Sequence, residues 1–385
     1  MISINEVLTR GVQNILPLKQ ELAKLMESKK ITLYQGFDPS MASLHLGNFV
    51  GLMKLRQFQK LGHKVIFLVG DFTGMIGDPS DKLSTRPKLT REEVLKNSRT
   101  WKEQASRVLD FEGENKALIM FNSEWSDKIS FKDLIEITSN FTVQQMIERD
   151  MFQERLKNKE PIYLHEFLYP VAQGYDSVAM DVDLEIGGND QLFNMLAGRN
   201  LMQAMKKKEK FVLTTKLLVD KEGKKVGKTT GNALFLDKSP EDFFGGIMSF
   251  PDEVIPLAFE LLTEVDLEDI EKLSKENPLK EKKRLGYEIV KLLWGEKEAA
   301  SAQEKFEKSF QEKSPDFEEK IEVKNSLIET ISQIKAIGSL SQAKRLIKQG
   351  AVDIDGKTIK DINFKIKGNE KIKVGKKVFV KVIKP

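Results

Sequence analysis

The chain has 385 residues, 40% hydrophobic and 31% charged, a balance that excludes a disordered protein and allows two or three packed domains. It has no cysteine and three histidines, His45, His63 and His165, so disulfides, thiol nucleophiles and cysteine-ligated zinc are excluded and a histidine metal site is poorly supplied. The net charge of +4 is unevenly spread: residues 331–385 hold 14 basic against 4 acidic side chains, a balance of +10, while residues 1–330 hold 48 against 54, a balance of −6.

A basic end on an acidic body predicts a polyanionic partner, nucleic acid ahead of membrane, because the basic segment also carries the periodicity of a folded domain. The opening MISINEVLTRGVQNILPLKQEL scatters charge through its apolar positions, and no later stretch reaches the length of a membrane span. That predicts no signal peptide, no membrane partner and a soluble cytoplasmic protein.

In chain order, KKITLYQGF (29–37), KVIFLVGDF (64–72), KALIMFNSEW (116–125), VDLEIGG (182–188) and FVLTTKLLV (211–219) read as short buried strands. Between the first two, SLHLGNFVGLMKLRQFQK (43–60) sets Phe49, Leu52, Met53 and Phe58 at helical spacing. Strand, helix and strand at this spacing predict a right-handed crossover between parallel strands. Residues 1–230 therefore read as an α/β domain of nucleotide-binding type, with its ligands at the carboxyl ends of the strands.

From SPEDFFGGIMSF to AQEKFEKSF (239–310) strand signals give way to helical periodicity, and QEKSPDFEEKIEVKNS (311–326), polar and containing Pro315, reads as a linker. SQAKRLIKQG (341–350) predicts a basic helix ending at Gly350, and AVDIDGKTIK (351–360) has an Asp-Gly turn between β-prone runs. KIKVGKKVFVKV (371–382) alternates Ile372, Val374, Val378, Val380 and Val382 with lysines, the pattern of a half-exposed strand.

Two short elements carry the chemistry. HLGN (45–48), taken alone, has two readings: a loop-to-helix junction in which Asn48 caps and His45 is on the surface, or a helix start that binds phosphate. In the second, unpaired N–H groups and the helix dipole face the anion, Gly47 admits a nucleotide to the backbone and His45 donates to its oxygens. DKEGKKVGKTTGNALF (220–235) gathers Lys224, Lys225 and Lys228 among glycines and threonines after a strand. It is either a solvated surface loop or a cationic arm, and it lacks the spacing of a Walker A loop.

Joined in this order, HLGN and KVGKT (225–229) resemble the paired signatures of class I aminoacyl-tRNA synthetases. LYQGFDPSMASLHLGN (33–48), GDFTGMIGDPSDKLSTR (70–86), FLYPVAQGYDS (167–177) and EIGGNDQLFN (185–194) narrow the likeness to the bacterial tyrosyl-tRNA synthetases, and it covers essentially the whole chain.

The resemblance implies an α/β fold: a Rossmann-like parallel-sheet catalytic domain (1–230), an α-helical anticodon-arm domain (231–310), a linker (311–326) and a small C-terminal α+β S4-like RNA-binding domain (327–385). Tyr34 and Asp176 would bind the phenol of L-tyrosine, and Tyr169, Gln173 and Asp78 its α-ammonium. Gly36, Asp38, Gly188, Asp190 and Gln191 would border the ribose and adenylate of ATP. Ser40, His45, Gly47, Asn48, Lys82, Arg86, Lys225, Lys228 and Thr229 would surround its phosphates, and Lys344, Arg345 and Lys348 would meet RNA.

The implied reaction joins L-tyrosine to ATP as tyrosyl-adenylate, with Mg2+ accompanying ATP and no fixed metal site on the protein. Transfer to tRNA(Tyr) follows, in a homodimer. Three departures stand out: Asn48 replaces the family's usual histidine and cannot become cationic, and Val226 and Gly227 replace a methionine and a serine in the lysine loop. The rival readings are a tryptophanyl-tRNA synthetase, against which Tyr34 with Asp176 favours a phenol, another nucleotidyl transferase, which would have no use for the basic tail, and a silent RNA-binding paralogue.

Overall fold

The structure is a computed structural model, and it describes residues 2–80, 88–226, 234–273, 277–310, 319–324, 326–334, 336–375 and 378–384. The chain divides into two compact units, Met1–Ala302 and Gln303–Pro385.

The first unit is built on six strands: β1 Val12–Leu16, β2 Thr32–Phe37, β3 Lys64–Val69, β4 Leu118–Phe121, β5 Leu184–Gly188 and β6 Phe211–Thr215. Their order across the sheet is β1-β6-β5-β2-β3-β4, with every pairing parallel except β1 with β6. The five expected strands are all present but shorter than their apolar runs, because residues at one or both ends of each run lie outside the sheet. β1 was not anticipated: its VQNIL has a polar centre, and on the sheet edge it is never fully buried.

The chain runs outward from β2 to β3 and β4, then returns to lay β5 on the other side of β2. Loops leaving β2 and β5 therefore diverge and open a crevice at their carboxyl ends. Helix α1, Leu46–Lys60, follows β2 and buries Phe49, Leu52, Met53 and Phe58 against the sheet. Helix α2, Leu164–Met180, and helix α3, Leu192–Leu201, pack on each other close enough that Gly174 and Gly198 nearly touch.

The segment after 239 is helical, as its periodicity predicts: Pro240–Met248, Ile255–Leu262, Leu267–Leu273, Pro278–Trp294 and Glu296–Phe310. Phe243, Ile247, Leu262 and Leu285 share one apolar core with Leu22, Phe49 and Leu213.

The second unit holds a five-stranded sheet of β7 Glu319–Glu322, β8 Val352–Ile354, β9 Lys357–Ile359, β10 Lys371–Val374 and β11 Val378–Ile383, in the order β7-β11-β10-β8-β9. Helix α4, Leu327–Ser332, and helix α5, Leu340–Lys348, close its core. The Asp355–Gly356 turn between β8 and β9 has both residues at positive φ, the twist a two-residue hairpin needs.

Two segments differ from their sequence reading. The alternating run 371–382 is two strands, β10 and β11, because Gly375 bends back at positive φ. The polar stretch read as a linker contains β7, whose Ile321 is buried against β11 while its lysine and glutamates flank it.

Candidate active site

Where the strands of the first unit end, a cavity of about 500 Å³ opens between the loops after β2 and β5. At one end stands the first turn of α1. His45 is the N-cap: its Nδ1 accepts from the backbone N–H of Asn48 at 3.3 Å, and its own N–H donates to Asn48 Oδ1 at 2.9 Å. The reading of HLGN in which Asn48 is the cap does not hold, since Asn48 sits three residues inside the helix and returns the bond as the second half of a capping box. An accepting Nδ1 puts the proton of the neutral imidazole on Nε2, which makes that edge of the ring a donor.

The lysine-rich loop is tied to this turn although some 180 residues separate them. Leu46 N donates to Leu234 O at 2.9 Å, and Leu236 N donates to Leu44 O at 2.8 Å. Lys225 reaches Asp190 Oδ2 at 2.7 Å, and Val226 N bonds Leu218 O at 2.8 Å. Lys82, Arg86, Lys228 and Thr229 lie outside the described residues.

At the other end, α2 presents Tyr169, Gln173 and Asp176 on one face, four and then three residues apart. Tyr169 donates its hydroxyl to Asp38 Oδ2 at 2.7 Å, and Thr73 donates to Asp38 Oδ1 at 2.6 Å. Asp176 accepts from Trp125 Nε1 at 2.8 Å and Asn122 Nδ2 at 3.3 Å. Burial pushes its carboxyl well above the usual carboxylate range, and Glu185 and Asp38 push the same way.

Asp78 accepts from Ser80 N at 2.9 Å and from Gln191 Nε2 at 2.8 Å. Gln191 therefore joins the group assigned to the ammonium as much as the nucleotide. Gly36, Ser40, Gly47 and Gly188 also line the cavity.

Tyr34 alone among the described candidates of this unit is not part of the cavity wall. It is fully buried among Ile66, Leu68 and Val182, its hydroxyl 2.9 Å from Ser177 Oγ. Burial raises its phenol well above the ordinary tyrosine range, with Glu185 and Asp176 adding to the effect. In the second unit Lys344, Arg345 and Lys348 are all exposed on α5, while Ala343 and Ile347 face the core.

Sequence reading missed several of the cavity's supports. Asn122 and Trp125 hold Asp176 from the loop after β4, and Thr73 holds Asp38. Most notable is an ion pair between Lys210 and Glu185, both within 1% of complete burial. The signal was present as Glu185, one of two acidic residues inside the run VDLEIGG. Its partner 25 residues on, just before another strand, could be matched to it only in three dimensions. Among the described residues no cluster of three or more histidine and carboxylate side chains could hold a metal ion, and no helix is long and apolar enough to cross a membrane.

Residues 26–311 match the family described as tRNA synthetases class I (W and Y), and residues 329–372 match the S4 domain. The chain is similar to the tyrosine–tRNA ligase of Thermotoga maritima, with 41% identity over 98% of this chain and 96% of that one. It is also 41% identical to the tyrosine–tRNA ligase of Aquifex aeolicus over 98% of this chain and 97% of the relative. Among solved structures, the C-terminally truncated mitochondrial tyrosyl-tRNA synthetase of Coccidioides posadasii matches with a TM-score of 0.65 at 26% identity, covering 78% of this chain and 90% of its own. The tyrosyl-tRNA synthetase of Archaeoglobus fulgidus, solved with L-tyrosine, shares the fold at a TM-score of 0.59 and 20% identity, covering 78% of this chain and all of its own.

Proposed function

The chain belongs to the class I tRNA synthetases for tryptophan and tyrosine, and from that premise we propose that it ligates L-tyrosine to tRNA(Tyr) in two steps at this cavity. The observation that carries the choice of amino acid is Asp176, a buried carboxylate at the cavity wall on the same helix face as Gln173 and Tyr169. A phenol hydroxyl is a polar partner that this buried group, held in place by Trp125 and Asn122, can meet at the cavity wall, whereas an apolar ring edge would gain no hydrogen bond there.

In the first step a tyrosine carboxylate oxygen attacks the ATP α-phosphorus in line. The new O–P bond forms as the bond to the β-phosphate oxygen breaks, giving tyrosyl-adenylate and pyrophosphate. The attacking carboxylate is already ionised, so no side chain must take a proton. Catalysis then rests on position and on donors aimed at the phosphates as charge moves to the leaving group. His45 Nε2–H and the Gly47 N–H in the first turn of α1 supply donors, and Lys225 supplies charge. Lys82, Arg86, Lys228 and Thr229 are assigned to the same phosphates by resemblance.

Gln173, Tyr169 and Asp78 hold the ammonium, while Asp38, Gly188 and Asp190 border the nucleotide. Mg2+ arrives with ATP as part of that substrate. In the second step a ribose hydroxyl of the 3′-terminal adenosine attacks the tyrosyl carbonyl and AMP leaves.

Residues 1–230 carry this chemistry, 231–310 contact the anticodon arm, and 327–385, joined through 311–326, bind RNA through the exposed Lys344, Arg345 and Lys348. Exposed Phe131, Ile135, Val143 and Leu164 around the short helices beside α2 support a homodimer. The lack of a membrane-spanning helix among the described residues is compatible with a cytoplasmic site of action.

The test is amino-acid-dependent exchange of labelled pyrophosphate into ATP, without tRNA, across the twenty amino acids. Exchange with tyrosine alone is expected. Exchange with tryptophan would transfer the assignment to the sister specificity, and no exchange from a folded, ATP-binding sample would leave only the RNA-binding half.

A further inference from the structure

Behind the amino-acid end of the cavity lies a polar cluster that no step of the proposed reaction uses. Lys210, immediately before β6, is fully buried, and its Nζ donates to Glu185 Oε2 and, at 3.1 Å, to Met195 O. Glu185, on β5, accepts from Gln173 Nε2 through its other oxygen at 2.9 Å.

Space for this arrangement is built in on α3. A Cβ on Gly198 would stand 2.6 Å from Lys210 Nζ, so no residue larger than glycine fits without moving the ammonium. Taking two charges out of water is costly, and an apolar pair of similar volume often serves stability as well or better. Stability alone therefore gives weak grounds for an ion pair in this position.

The geometry explains what the pair does. An ionised carboxylate only accepts hydrogen bonds, so the Gln173 amide must present its NH2 group to Glu185. Its Oε1 is then turned the other way, and Gln173 lines the cavity. Lys210 supplies the charge that keeps Glu185 an acceptor. We propose that the buried Glu185–Lys210 pair is a positioning device that fixes the polarity of the Gln173 amide, so that an oxygen and not an NH2 group meets the α-ammonium of the amino-acid substrate. The inference rests on the reading of the cavity as a tyrosine-activating site, in which Gln173 faces that ammonium. Without the pair nothing holds the amide in this sense, and turned over it places donor against donor and loses the hydrogen bond to the ammonium.

The test replaces both charges together, because removing one would strand the other. In Glu185→Leu/Lys210→Met the acceptor is gone but the volume is retained. Pyrophosphate exchange should give a tyrosine KM raised about tenfold, the size of one well-placed hydrogen bond to a charged group. The ATP KM and the melting temperature should stay close to the parent's.

In Glu185→Gln/Lys210→Met the partner amide can offer Gln173 either an oxygen or an NH2 group, so the polarity is only partly restored and the tyrosine KM should lie between those of the leucine variant and the parent. Should the leucine variant not fold, Glu185→Met/Lys210→Met, whose flexible side chains refill the space, carries the same expectation. A purely structural pair would lower melting temperature and active fraction in all these variants without separating tyrosine KM from ATP KM. A tyrosine KM unchanged in the folded leucine or methionine variant would overturn the proposal while leaving tyrosine activation by the parent intact. A parent chain without tyrosine-dependent exchange would overturn both.

Discussion

The two ends of the cavity are built on opposite principles. At the amino-acid end the buried carboxylates are committed to protein partners: Asp176 to Trp125 and Asn122, Glu185 to Lys210 and Gln173. At the nucleotide end the groups are half-exposed, and they sit on a helix start and on a loop pinned to it by two backbone bonds. A dry arrangement whose groups are fixed by protein partners rejects a ligand of the wrong chemistry, because they cannot turn to suit it. A wet arrangement discriminates less and adapts to charge that moves during reaction. Specificity and rate are thus assigned to different halves of one crevice.

The comparison is broken most decisively at His45. His45→Ala should lower kcat for pyrophosphate exchange about a hundredfold or more, the usual loss for one donor aimed at developing charge, with little change in tyrosine KM. A comparable loss in tyrosine binding measured by calorimetry would mean the two ends are not separate. Asp176→Ala should do the reverse, raising tyrosine KM about a hundredfold while ATP KM stays within about twofold, as steady-state exchange would read.

Salt sharpens the contrast without mutation. Raising ionic strength from about 0.05 to about 0.5 M shortens the screening length from about 14 Å to about 4 Å, so ATP KM should rise severalfold while tyrosine KM barely moves. The smallest effect belongs to Asn48→Ala. Removing half of a capping box should lower the melting temperature by about 2–4 °C and kcat about threefold, by calorimetry and exchange respectively. A loss as large as that of His45→Ala would give Asn48 a direct role with the phosphates.

Sequence carried the parallel sheet because strands buried on both faces are unbroken apolar runs, and carried α1 through its stripe of Phe49, Leu52, Met53 and Phe58. It did not carry β1, where Asn14 interrupts the run, nor the β10–β11 turn, where Gly375 lies inside an apparently continuous alternation. HLGN and the lysine loop were legible as motifs and their backbone pairing was not, since nothing in either segment names the other. HLGN alone admits Asn48 as the cap in one of its two readings, whereas the structure gives that position to His45. Glu185 and Lys210 each look like a lone charge beside a strand, and only the fold makes them a pair.

One feature of α2 reaches further. Gln173 and Asp176 stand three residues apart on a helix that rises about 1.5 Å per residue, so their backbones are offset by about 4.5 Å along its axis. In the proposed roles one grips the head of the substrate and the other its far tip, which makes the helix a ruler laid beside the amino acid. The graduations of that ruler are set by peptide geometry and cannot be stretched by changing side chains. A single inserted residue between 173 and 176 would rotate the far mark by about 100° around the axis and take it out of the crevice. Substitutions can alter what is recognised at each mark, but the separation of the marks is inherited with the helix.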